Sequence, residues 1–131
     1  MRDSEMKQVL IVDDNILDNK AVRMALSGQY FTSSVTSGTD VFVYLGNHRP
    51  DMILLDQYMP DMTGLDVIKK LKADERLADI PVMFLTADET GTVDSNCFRL
   101  GAVDCIHKPA SREVLLMRLN SRLREAEQSA N

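Results

Sequence analysis

Short apolar runs alternate along this chain with stretches whose apolar residues recur every three or four positions. The first run, VLIV at 9–12, stops at Asp13-Asp14-Asn15. From 16 to 27 the period is helical, with Leu17, Ala21, Met24 and Ala25 at i, i+4, i+7 and i+8. Asp14 or Asn15 is placed to cap that helix and Gly28 to stop it. Residues 30–35 are β-rich but polar, as expected of a strand near a sheet edge. Residues 39–45 carry mixed signals: 41–44 have strand propensity, while Val41 and Leu45 suit a helical face. Their place between two strands favours helix.

The strongest run is MILL at 52–55, which reads as a strand buried on both faces. It ends at Asp56, and Pro60 and Gly64 then force a loop. Leu65, Ile68 and Leu71 mark the next helix, with Lys69, Lys70 and Lys72 on its outer face. VMFL at 82–85 is a further strand, ended by Thr86. Val93, Cys97 and Leu100 carry a fourth helix closed by Gly101, and Cys105-Ile106 is a short strand leading to Lys108-Pro109. Ser111 caps a last helix, along which Leu116, Leu119, Leu123 and Ala126 keep helical spacing. Five strands alternating with five helices make an α/β fold of βαβ crossovers. The expected architecture is a five-stranded parallel sheet in flavodoxin-like order 2-1-3-4-5, doubly wound, with its crevice between strands 1 and 3.

At 131 residues the chain has room for one core, expected over 7–125 with tails at 1–6 and 126–131, the second of which has the start of a helical linker as one option. A net charge of −5 argues against direct nucleic-acid binding. No apolar run approaches a membrane span or a signal peptide. Cys97 and Cys105 lack metal-like spacing and read as two reduced thiols of a cytoplasmic protein.

Four strands end in a reactive or polar group: Asp13-Asp14, Asp56, Thr86 and, after His107, Lys108. A parallel sheet gathers strand ends at one rim, where α/β proteins bind ligands. Taken alone, Asp13-Asp14 is more often a helix cap than a metal site; Asp56 and Lys108 reverse that judgement. Three carboxylates together raise one another's pKa values, a conflict that a divalent cation removes. All-oxygen ligands suit Mg²⁺, which shares its shell with phosphate. Lys108 supplies a point charge for a phosphoryl oxygen, and the Thr86 hydroxyl a hydrogen bond to another. A carboxylate can itself be the nucleophile, giving an aspartyl phosphate. Gly64 and Gly101 are isolated, so no glycine-rich nucleotide loop is present.

VLIVDDN at 9–15, ILLDQYMPDMTG at 53–64, FLTA at 84–87 and GAVDCIHKP at 101–109 resemble the four signature segments of receiver domains. These are the phosphoacceptor modules of bacterial two-component response regulators, and the resemblance spans about residues 7–125. It implies that Asp56 takes a phosphoryl group from a phosphohistidine on a sensor histidine kinase or histidine phosphotransfer protein. It further implies that Asp14, Asp56 and the Tyr58 backbone carbonyl bind Mg²⁺ directly, with Asp13 partly through water. Lys108, the Thr86 hydroxyl and the Ala87 backbone N–H would contact the phosphoryl group, and Tyr58 and Asp88 would flank it. The resemblance further implies a switch in which the threonine moves toward the phosphate and an aromatic residue three positions before the lysine rotates inward. Here that aromatic position is Cys105, and Ala110 stands where relatives usually carry Phe.

The expected role is regulatory rather than enzymatic, with a downstream effector or a linked output domain as reader and a homodimer as one option. The end of the chain resembles receivers that precede cyclic-dinucleotide-turnover domains. Two other classes fit the residues less well. A Mg²⁺-dependent phosphatase with an Asp nucleophile usually carries a second Asp two residues on, where this chain has Tyr58. A scaffold that works unphosphorylated sits poorly with intact carboxylates and Lys108.

Overall fold

A computed structural model of the chain describes residues 6–87 and 91–130. Strands and helices alternate throughout: β1 (Gln8–Val12), α1 (Ile16–Leu26), β2 (Phe31–Val35), α2 (Gly38–Leu45), β3 (Met52–Leu55), α3 (Gly64–Ala73), β4 (Val82–Thr86), α4 (Thr92–Asn96), β5 (Asp104–His107) and α5 (Arg112–Ala130). The sheet is parallel, in the order β2-β1-β3-β4-β5. β3 and β4 are buried at every position, as central parallel strands must be. The more polar β2 takes an edge.

Side chains alternate across the sheet into two cores. Leu10, Ile53, Leu55 and Phe84 meet Val41, Val67, Ile68 and Leu71 on the α2, α3 and α4 side. Val9, Ile11, Leu54 and Met83 meet Leu26, Leu115, Leu119 and Leu123 on the α1 and α5 side. The mixed segment after Ser37 is a helix, capped by the Ser37 hydroxyl on the Asp40 N–H.

α1 lies on a different face from the one its spacing suggests. Leu17 and Met24 are 77% and 66% exposed, whereas Asn19 and Leu26 are buried and Val22 and Ala25 pack against the core. The reason is polar. Asn19 Nδ2 donates to the carbonyls of Asp13 at 3.0 Å and Val35 at 3.3 Å, tying the helix to the ends of β1 and β2. That anchor turns the Leu17–Met24 stripe outward.

The fourth helix is shorter than its apolar spacing suggests, and regular geometry stops at Asn96. The chain then closes through paired bonds from the Gly101 N–H to Phe98 O and from the Ala102 N–H to Cys97 O, with Gly101 at φ +105°. This is a Schellman closure, which needs a left-handed residue at that position. Lys72 does not join Lys69 and Lys70 on the outer face; its Nζ folds back onto the Ala78 carbonyl at 2.9 Å. On α5 the fully buried stripe is Leu115, Leu119 and Leu123, with Leu116 and Ala126 half-buried at its margin. The helix continues to Ala130, in keeping with the helical spacing of the last segment.

Candidate functional site: an acidic cleft at the strand ends

The register places Val12 beside Leu55, Leu55 beside Phe84, and Thr86 beside His107, so the residues that follow these strands share one rim. Asp56 is 8% exposed at the end of β3. Its backbone N–H donates to Val12 O at 3.0 Å, and its Oδ1 accepts from the Gln57 N–H at 2.7 Å. Gly64 allows α3 to begin against this strand end. A Cβ there would lie 2.4 Å from Asp56 O and 2.8 Å from the Phe84 ring, so no larger residue fits. Two further bonds hold the intervening loop: the Gly64 N–H to Gln57 O at 2.8 Å and the Leu65 N–H to Gln57 Oε1 at 3.0 Å. Asp61 fastens the loop to α2, accepting from the N–H groups of Gly38 and Thr39 and from the Thr39 hydroxyl. Those three donors hold its carboxyl down at about 2.

Asp13 is buried, Asp14 exposed. One carboxylate oxygen from each of Asp13, Asp14 and Asp56 lies within 4.8 Å of the other two, so the three can hold a metal ion together. Burial pushes the Asp13 carboxyl above its ordinary value, against the opposing pull of Lys108 and the Asn15 N–H. Lys108 N–H donates to Thr86 O at 2.9 Å. Its Nζ reaches Asp13 Oδ2 at 2.6 Å, Asp18 Oδ2 at 2.9 Å and Asp56 Oδ2 at 3.4 Å. Burial alone would lower its pKa; the carboxylates outweigh that and raise it, so it stays an ammonium. Thr86 is fully buried at the end of β4, and Ala87 is exposed beside the cleft.

The cleft has a volume of about 470 Å³ and is lined by Asp14, Asn15, Asp18, Asp56, Tyr58, Met59, Pro60, Ala87 and Lys108. The structure thus brings together Asp13, Asp14, Asp56, Lys108 and the Tyr58 and Ala87 positions. Asp88 lies outside the described residues. The sequence gives no direct signal for Asp18, which stands in the first turn of α1, three residues after the Asn15 cap. Asn15, not Asp14, caps α1, accepting from the Asp18 N–H at 3.0 Å. Away from the cleft, Cys105 packs half-buried against the α4-side core, and the two cysteines are not joined in a disulfide.

A parallel five-stranded α/β sheet with an acidic triad and a lysine at its carboxyl edge defines a class, and comparison with known proteins supplies its family. Residues 9–120 match the family model for the response regulator receiver domain, and the chain belongs to that family. It is 36% identical over 103 residues to the two-component response regulator ORR5 of Oryza sativa subsp. japonica, covering 77% of each chain. It is 33% identical over 123 residues to a probable cyclic di-GMP phosphodiesterase of Vibrio cholerae serotype O1, covering 94% of this chain and 28% of that one. The chain therefore spans little more than a quarter of that relative's length. A CheY-like response regulator receiver domain protein from Methanospirillum hungatei JF-1 shares the fold, with a TM-score of 0.87 over 95% of this chain and 99% of the other at 21% identity. Membership makes the role regulatory, in a family whose members work with histidine kinases and output domains. Among the described residues, no helix is long and apolar enough to cross a membrane.

Proposed function

We propose that Asp56 is the phosphoacceptor of this receiver domain, taking a phosphoryl group from a phosphohistidine on a sensor histidine kinase or histidine phosphotransfer protein. The observation that carries this is Asp56 Oδ2. It faces the cleft with Lys108 Nζ 3.4 Å away, while Oδ1 is occupied by the Gln57 N–H. A carboxylate oxygen held at the mouth by its partner oxygen's hydrogen bond is oriented for attack.

In the transfer, an Asp56 oxygen forms a bond to phosphorus and the P–N bond to imidazole breaks. The electron pair leaves with the imidazole nitrogen. Lys108 offers an ammonium to the phosphoryl oxygens, and the Ala87 N–H and Thr86 hydroxyl are the further donors. Because Thr86 is fully buried, its hydroxyl reaches a phosphoryl group only by moving, and that movement couples the site to β4. The donor set of Asp13, Asp14, Asp56 and the Tyr58 carbonyl fits Mg²⁺, whose role when bound is to neutralise the carboxylates and the incoming phosphoryl oxygens. Tyr58 is half exposed at the rim, placed to slow the water that hydrolyses the acyl phosphate.

The reading extends to a cytoplasmic module that signals to an effector or a linked output domain. The short coverage of the phosphodiesterase relative favours a linked domain. Cys105 and Ala110 replace the bulky residues of the usual switch, so the output surface repacks without a rotating ring.

Incubating the chain with Mg²⁺ and acetyl phosphate, then weighing it intact, tests the proposal. The expected result is one added phosphoryl group, lost in Asp56→Asn and with a chelator. An unchanged mass in folded, Mg²⁺-loaded protein overturns it.

A further inference from the structure

Asp18 has no place in the acceptor chemistry described so far, yet it changes the charge of the cleft more than any other unassigned residue. Its Oδ2 lies 2.9 Å from Lys108 Nζ, nearer than the 3.4 Å of Asp56 Oδ2. It stands in the first turn of α1, its side chain 45% exposed, and lines the same cleft as Asp14 and Asp56. Four carboxylates therefore face the cleft, and three of them share one ammonium. With three carboxylates, Lys108 and a divalent cation would balance the site. With Asp18, one negative charge is left over at the mouth, where a phosphodonor must approach.

We propose that Asp18 is a positioning and specificity-determining residue, drawing Lys108 toward α1 and selecting phosphodonors that bring a cationic side chain of their own. It rests on Asp56 being the phosphoacceptor. A small phosphate-bearing anion has nothing to offset the surplus charge, so it is repelled as it nears Asp56. A protein donor carrying Lys or Arg beside its phosphohistidine pairs with the exposed Asp18 carboxylate. Lys108 is then released from one of its three partners and is free to meet the phosphoryl oxygens. The same carboxylate adds to the attraction for a divalent cation, so its two effects on the site have opposite signs.

That opposition supplies the test. The full chain and Asp18→Asn, which keeps the shape and removes the charge, are incubated with acetyl phosphate at saturating Mg²⁺ and followed by intact mass. In this reaction Asp56 attacks phosphorus, the P–O bond to the acetyl group breaks, and acetate leaves with the electron pair. The expected result is a rate increase of about fivefold in the variant at low ionic strength, shrinking as salt is added. Calorimetric titration with Mg²⁺ should show affinity falling by about threefold. A merely damaged fold would lower both. Asp18→Glu should restore the slow rate.

Two synthetic phosphohistidine peptides, one flanked by Lys and the other by Glu, test the choice of donor. The parent should prefer the Lys peptide, and Asp18→Asn should lose most of that preference. Equal acetyl phosphate rates in parent and variant, a fall in both rate and affinity, or a peptide preference unchanged by the variant overturns the assignment to Asp18 alone. No phosphoryl gain in the parent overturns the acceptor assignment and this one with it.

Discussion

Asp13 and Asp104 are almost equally buried, 4% and 3% exposed, yet their carboxyl groups move in opposite directions from 3.8. Burial pushes both upward. At Asp104 that push is overcome by the Cys105 N–H at 2.8 Å, Arg118 Nη1 at 2.8 Å and Arg122 Nε at 3.1 Å. Two guanidiniums serve one anion on the α5 side of the sheet. At the cleft the ratio is reversed, with one ammonium serving Asp13, Asp18 and Asp56 while Asp14 stands beside them. Saturated charge of the first kind fastens a helix to a strand. Surplus charge of the second kind stores a demand for cations, which is what the proposed phosphoacceptor role asks of the cleft.

The largest effect that would break this contrast lies at Asp104. Asp104→Ala removes the acceptor shared by Arg118, Arg122 and the Cys105 N–H, leaving Arg122 with Glu125, and should destabilise the fold by about 3 kcal/mol, read by urea unfolding at neutral pH. The sign with pH follows from the lowered pKa. The contribution is fully present above the carboxyl's ordinary value of 3.8 and is lost as pH falls through the lower folded value. Parent and variant should therefore converge only in strong acid. Convergence already at pH 5 would mean that the arginines do not hold this carboxylate.

The opposite sign is expected at the cleft. Asp13→Asn keeps an acceptor for the Asn15 N–H and removes one of the crowded charges, so the metal-free protein should gain about 1 kcal/mol. Millimolar Mg²⁺ should reverse the order, because the parent binds the cation more tightly and is stabilised by it. Thermal melts with and without Mg²⁺ read both signs. A variant less stable than the parent in both conditions would place Asp13 with Asp104, as a structural carboxylate.

The two regions were not equally legible in the sequence. Strand-end carboxylates announce themselves, because a short run such as MILL, bounded by turn residues, reads as a buried strand and the residue after it falls at the rim. Asp56, Asp13-Asp14 and Lys108 were legible for that reason, as were the strand order and most of the helices. Asp104 was not, since its partners Arg118 and Arg122 lie on a helix whose rotation against β5 is set by packing. α1 shows the same limit from the other side. It carries two candidate faces, and the buried Asn19, through its bonds to the Asp13 and Val35 carbonyls, selects the less apolar one. Hydrophobic period locates a helix but cannot choose its face when a polar anchor decides. Asp18 was missed along with that face.

The smallest effect sharpens the comparison most, because it tests redundancy rather than charge. Arg118 and Arg122 contact different oxygens of Asp104, and the Cys105 N–H shares Oδ1 with Arg118. Removing Arg118, whose side chain is 41% exposed, still leaves Asp104 paired through Arg122 and bonded to a backbone donor. Arg118→Ala should therefore lose only about 0.5 kcal/mol. Arg122→Ala should lose a similar amount, since Arg118 then carries the pair. The double variant strands a buried carboxylate with one N–H, and its loss should exceed the sum of the single losses by about 1 kcal/mol. Urea unfolding of the four proteins closes this cycle. Strict additivity would mean that each arginine acts through its own packing against the sheet, and the two-cations-to-one-anion account of Asp104 would have to be given up. No such reserve exists at Lys108, where the loss of one side chain removes the only ammonium found on Asp13, Asp18 and Asp56 among the described residues.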